Sequence, residues 1–156
     1  MIGLVIAVII FNAIAFKTNH RLTMNQIVHI WTFTIALQVL VDTFVDFKYH
    51  GYWYFSRDID WYSLPAVTLL VPPANIIFLN GYPFGQSIIK QMMYYIVTLI
   101  VLNLYELIAL LPHPWGYFHY GWWRLWYSSL INPFLLAIIL LFYKGTIHLE
   151  KKLSHD

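Results

Sequence analysis

The chain has 156 residues, 60% of them hydrophobic, and only 10% carry a full charge (9 Lys+Arg, 7 Asp+Glu). A soluble domain devotes about a quarter of its residues to Asp, Glu, Lys and Arg, so this composition cannot cover one. The formal charge of +2 comes from basic residues scattered between apolar runs, which argues against nucleic acid, and the lack of cysteine excludes disulfides, thiolate metal sites and cysteine nucleophiles.

Apolar runs of roughly 18 or more residues read as membrane spans, and the sequence predicts five over a single membrane domain, 1–156. The fold class is all-α, an integral membrane bundle of five transmembrane helices. The first span, about 2–16, is apolar from Met1, without the basic n-region or small-residue cleavage site of a signal peptide, so it reads as retained. At 1.5 Å per residue it covers about 24 Å, short of the ~30 Å hydrocarbon core, and needs thinned bilayer or cover from its neighbours. The second span covers about 24–47, the third about 61–80, the fourth about 91–111 and the fifth about 125–143.

The basic residues orient the set. Lys17, Arg21, Lys90, Lys144, Lys151 and Lys152 fall on one side, and only Lys48, Arg57 and Arg124 on the other. The positive-inside rule places the N-terminus outside and the C-terminus in the cytoplasm. The tail KGTIHLEKKLSHD reads as a charged stop signal touching anionic lipid.

Both longer outer loops are aromatic. Residues 47–62 hold eight aromatics, 115–127 hold another eight, and the whole chain has thirty (11 Phe, 7 Trp, 12 Tyr). One reading is an interfacial belt at headgroup depth. The other is a binding face or lid carried by Trp53, Trp61, Trp115, Trp122, Trp123 and Trp126, because a belt alone does not require such density on one side.

Ionisable groups inside spans need a partner or a purpose. Asp42 and Asp46, four apart on one helix face, and Glu106 reach a similar depth below the aromatic loops. They form a candidate buried cluster with Arg124 and Arg57: either ion pairs that pin helices (Glu106 with Arg124, Asp42 or Asp46 with Arg57 or Lys48), or a cation, proton or headgroup site. A second constellation lies at helix breaks. Pro72 and Pro73, with Asn75 nearby, free the carbonyls of Thr68 and Leu69, and Pro133 after Asn132 frees that of Ser129. Such breaks are tolerated where the freed groups are buried in protein or line a polar cavity. The amides Asn12, Gln38, Asn75, Asn103 and Asn132 read as glue between helices.

No metal site or cofactor is expected. His113 and His119 have no ligand spacing, and a haem would need axial histidines at compatible depth, whereas His29 and His113 lie near opposite faces. The sequence contains no HExxH, GxSxG or glycine-rich phosphate loop, which argues against an enzyme without excluding one.

Four stretches carry a resemblance: GYWYF…DIDWYSLPAV (51–67), PPANIIFLNGYPF (72–84), LYELIAL (104–110) and GYFHYGWWRLWYSSLINPFLLAIILL (116–141). Over about 51–143 the chain resembles an uncharacterised family of small five-span membrane proteins from spore-forming Gram-positive bacteria. The resemblance implies a bundle in a bacterial cytoplasmic membrane and no particular activity. Family members carry a single proline before the NxIFLN element, where this chain has Pro72-Pro73, and tryptophan after the glutamate, where it has Leu107. Both departures concern packing and leave the roles of Asn75, Asn80 and Glu106 open.

The sequence therefore predicts a non-enzymatic membrane component that binds a protein partner or lipid through its aromatic outer face. The alternatives are a small transporter or proton-coupled carrier using the buried carboxylates, and an intramembrane enzyme acting on lipid. Expected partners are the lipid bilayer and a protein partner or second copy, with no nucleic acid.

Overall fold

The computed structural model describes residues 1–58 and 61–153. Its chain is 74% helical and all-α, as the hydropathy predicts, with five α-helices in total. Helix α1 spans Ile2–Thr18, α2 Met24–Asp42, α3 Val71–Gly81, α4 Ile88–Ala109 and α5 Leu125–Leu153. Two wide π-turn segments extend this set: Thr43–Lys48 prolongs α2, and Ala66–Leu70 leads into α3. Three helical units are long and apolar enough to cross a membrane, namely Met24–Lys48, Ile88–Ala109 and Leu125–Leu153, while Ile2–Thr18 and Ala66–Gly81 are apolar but shorter.

Local chemistry sets the helix ends. Thr23 caps α2: its hydroxyl accepts the Gln26 N–H at 3.2 Å and the Gln26 side chain returns the bond at 3.2 Å, a reciprocal box whose cap residue is worth about 1 kcal/mol. The third unit starts near Ala66, later than the predicted 61, and Trp61 stands 84% exposed ahead of it. Helix α5 runs past the predicted end at 143 to Leu153, because most of Lys144 to Leu153 are good helix formers and Lys151 and Lys152 suit its C-terminal dipole. The charged tail read as a stop signal is thus helical over its first ten residues, and 154–156 lie outside the described residues.

Helix α3 packs against α1 and α2, and α5 against α2 and α4. Ile30, Ile76, Leu79, Ile139 and Tyr143 make the fully buried centre of the core. Helix α4 buries only Ala109 and turns Met93, Ile96, Val97 and Ile100 outward. At the end where the carboxylates lie, Leu4, Ala7, Leu70, Ala109 and Tyr117 form a second apolar cluster.

The two aromatic loops meet there in a short antiparallel ladder that hydropathy does not reveal. Strand β1 (Tyr52–Trp53) pairs with β2 (His119–Tyr120), Tyr52 opposite Tyr120 and Trp53 opposite His119. The Gly51 carbonyl accepts the N–H of Gly121 at 2.8 Å and of Trp123 at 2.9 Å. A side chain at Gly121 would run into the His50 carbonyl, so only glycine permits this approach.

Candidate functional site

The site is built from the ladder downward. Residues directly opposite in an antiparallel pair share a face, so Tyr52 and Tyr120 point the same way, and each reaches a carboxylate. The Tyr52 hydroxyl donates to Asp42 Oδ1 at 2.6 Å, where the Gln38 amide also donates at 2.9 Å. The Tyr120 hydroxyl donates to Glu106 Oε1 at 2.5 Å. The Ser128 hydroxyl donates to the same oxygen at 2.6 Å and accepts the Trp123 indole N–H at 2.8 Å. Burial, reinforced by the Asp42 charge, pushes the Tyr52 hydroxyl well above the usual tyrosine range. Burial and then the bond to Glu106 do the same for Tyr120. Both phenols therefore stay protonated donors at physiological pH, and each bond to a carboxylate is worth about 1.5–3 kcal/mol.

On the opposite face of the ladder Trp53 stacks on His119 at 6.1 Å. Beneath it, Tyr52 packs edge-on to Trp123 at 5.5 Å and against Phe118 at 5.0 Å. The aromatic loops thus form a folded lid, fastened to α2 through Asp42 and to α4 and α5 through Glu106 and Ser128.

Below the lid lies a cavity of about 240 Å³ that all five helices help to line. Its walls are mostly apolar, with Gln38, Asn75, Glu106 and Asn132 among the polar residues beside Thr34 and three tyrosines, and neither lysine nor arginine lines it. Both hydrogen bonds to Glu106 fall on Oε1, so Oε2 takes none among the described residues. The Asn132 amide likewise has no hydrogen-bond partner among the described residues. Asn132 is half-buried on the cavity wall, so its amide is open to a polar group placed in the cavity.

The helix breaks shape this cavity. Pro73 has no N–H for the Leu69 carbonyl, and the Asn12 amide of α1 donates to it instead, at 2.7 Å. Asn75 donates to Thr34 of α2 at 3.1 Å, and the Ser129 hydroxyl of α5 donates to Asn103 of α4 at 3.0 Å. The Pro133 carbonyl accepts the Tyr95 hydroxyl of α4. Three of the five amides therefore bridge helices as expected, Gln38 binds within α2 and to the Tyr54 hydroxyl of the lid at 3.3 Å, and Asn132 bridges nothing. The wide turn at Ala66–Leu70 places Ala66 and Leu70 on the cavity wall.

The expected ion pairing takes a different form. Arg124, expected opposite Glu106, is exposed and donates to the carbonyls of Gly121 and Trp123 at 2.8 and 2.7 Å. Arg57 stacks over Trp53 at 4.5 Å, and the Lys48 ammonium lies 5.0 Å from the Tyr49 ring. Asp42 and Glu106 are held by hydroxyls and an amide because those neutral donors come from the lid and helix interior, whereas Lys48, Arg57 and Arg124 stay exposed. Asp46 is buried beside Asp42. The tryptophans divide: Trp123 is buried in the lid, Trp53 is half-buried, and Trp61, Trp115, Trp122 and Trp126 are exposed.

Tyr52, Tyr120 and Ser128 are the residues of this candidate site that the sequence does not single out. Ser128 carries a faint signal, lying four before Asn132 and so on the same face of α5. The tyrosines carry none, since their roles arise from pairing two loops with α3 and α4 between them in the chain. Among the described residues no three His, Asp or Glu gather as a metal site.

No family model, curated protein or solved structure matches this chain.

Proposed function

We propose that this chain is a five-span membrane protein, N-terminus outside, that binds a small amphiphile in the cavity beneath its aromatic lid. The observation that carries the reading is the unanswered Asn132 amide, facing the same 240 Å³ cavity as Glu106. A cavity of roughly 150 Å³ already takes a benzene-sized molecule, so this one has room for a lipid headgroup. Apolar walls with a few convergent polar groups are the general form of a small-molecule site.

The five apolar helices and the six-to-three distribution of basic residues support a reading as five spans. The two shorter units are served by their position, since α3 packs against α1 and α2, its Asn75 donates to Thr34 of α2, and the Leu69 carbonyl just before it accepts from Asn12 of α1. The lid then faces outward. The exposed Trp61, Trp115, Trp122 and Trp126 suit headgroup depth around it, and the buried Trp123 serves the lid itself. Location in a bacterial cytoplasmic membrane is carried over from the sequence resemblance.

Native mass spectrometry of the protein extracted gently from its membrane tests the reading. The expected result is a reproducible small-molecule or lipid adduct that Asn132→Leu removes while melting stays near the parent's. A bare polypeptide under conditions that preserve other lipid adducts would refute it.

A further inference from the structure

Beside the lid cavity lies a second, almost wholly apolar hollow of about 350 Å³. It runs between α1 and α4, lined by Gly3, Ile6 and Ile10 on one side and Ile108 on the other, with Trp115 across its outer end. The stretch of α1 involved, residues 3–11, is about 12 Å long. Phe11, Tyr105, Ala109 and Tyr117 line both hollows and so form the partition between them. That partition is held by an edge contact of Phe11 with Tyr105 at 5.1 Å and by a Tyr105–Tyr117 hydroxyl bond of 2.7 Å. Helix α4 packs mainly on α5 and α1 on α3, so the α1–α4 seam is lightly packed. Ile6, Ile10 and Ile108 are 43%, 48% and 57% exposed, so the groove opens to the surroundings of the bundle, which in a membrane are acyl chains.

Resting on the proposed amphiphile site, we infer that the ligand is a single-chain lipid with a neutral, hydroxyl-bearing head, which enters sideways between α1 and α4. Its chain lies in the apolar groove and its head passes the Phe11–Tyr105 partition into the lid cavity. The lining selects the head. Neither hollow has a lysine, arginine or histidine among the described residues, and one carboxylate stands in the cavity wall. Phosphate recognition draws on arginine, lysine or helix N-termini, and here a phosphate would meet Glu106 instead. An ammonium offers donors to Glu106 Oε2 but no acceptor for the Asn132 NH₂, whereas a hydroxyl both donates and accepts. A glycerol-like head therefore answers Oε2 and the Asn132 amide together.

The test uses the full chain in detergent micelles, incubated with an equimolar mixture of monoolein, oleoyl lysophosphatidic acid and oleylamine and read by native mass spectrometry. Monoolein should be retained at least tenfold over the other two. Glu106→Gln and Asn132→Leu should each lower its occupancy about tenfold, the worth of one hydrogen bond to a charged or desolvated group. Ile10→Trp, which fills the groove from an exposed position, should do the same without touching the head site. A monoolein analogue with a diazirine at mid-chain should label Ile6, Ile10 or Ile108 on irradiation. Equal or stronger retention of the phosphate or the amine overturns the inference about the head, and labelling confined to other helices overturns the route. If lysophosphatidic acid is the adduct and Asn132→Leu releases it, the cavity reading stands while this inference falls. If none of the three lipids binds and the gently extracted protein is also bare, both fall.

Discussion

Asn12→Leu isolates one interaction on which the third helix depends. In a continuous helix the N–H of residue 73 would reach the Leu69 carbonyl, but Pro73 has none, and the Asn12 amide supplies the bond at 2.7 Å. Its other bond, to the Val8 carbonyl at 2.8 Å within α1, is dispensable, because that carbonyl keeps its helical partner. Leucine preserves the side chain's bulk and removes the donor. Leu69 is 43% exposed, yet in a bilayer that exposure is to hydrocarbon, which offers the orphaned carbonyl nothing. Orphaning a carbonyl costs about 1–3 kcal/mol, and side-chain bonds measured in bilayers average about 0.6 and reach about 1.7 kcal/mol. The expected loss is therefore about 1–1.7 kcal/mol, the overlap of those two ranges.

Pro73→Ala supplies the control by restoring an N–H one turn from Leu69. In that background Asn12→Leu should cost less than about 0.5 kcal/mol, giving a coupling of about 1 kcal/mol in the double-mutant cycle. Reversible unfolding of the four proteins in mixed micelles titrated with SDS, followed by far-UV circular dichroism, measures it. Equal losses in the two backgrounds would show that Asn12 acts through packing alone and refute the argument.

Other consequences are as direct. Tyr52→Phe should cost about 1.5–3 kcal/mol and raise the accessibility of Trp123 to a water-soluble fluorescence quencher, while Tyr49→Phe, altering an exposed ring, should change neither. Gly121→Ala should destabilise by about 1–3 kcal/mol through overpacking, read as a lowered melting temperature in detergent. Phe11→Ala should cost about 2–3 kcal/mol, less than the loss at a fully buried phenylalanine, and speed the exchange of bound lipid because it opens the partition. Since the chain has no cysteine, Ser56→Cys and Gln86→Cys report topology cleanly. In intact cells an impermeant maleimide should label the first, and the second only after permeabilisation; the reverse pattern inverts the orientation.

What was legible in the sequence is what depends on hydropathy and on single-residue chemistry. The five apolar runs became five helices because a long stretch without polar side chains has few other ways to satisfy its backbone. The breaks at Pro72–Pro73 were legible because a missing N–H is a property of the residue itself. The donor that answers Pro73 was not, since Asn12 and Leu69 meet only through the packing of α1 on α3. Charge misled in a similar way. Opposite charges at similar depth suggested Glu106 with Arg124, but an arginine at the rim keeps its hydration and nearby carbonyls, while Tyr120 and Ser128 reach the carboxylate at lower desolvation cost. The lid was visible as aromatic density and invisible as structure. Two-residue strands leave no alternating pattern, and their pairing is fixed by partners on other segments.

That ladder also orders events during biogenesis. β1 and β2 are separated in the chain by α3 and α4, and a two-stranded ladder of this length has little stability of its own. It cannot close until both intervening helices are in place and Asp42 and Glu106 are presented at matching height. Non-local contacts of this kind form late, once loop-closure entropy has been met by earlier packing. Closure of the lid thus marks the end of assembly, and a protein with any one helix misplaced would keep its aromatic loops apart, open to proteases and chaperones.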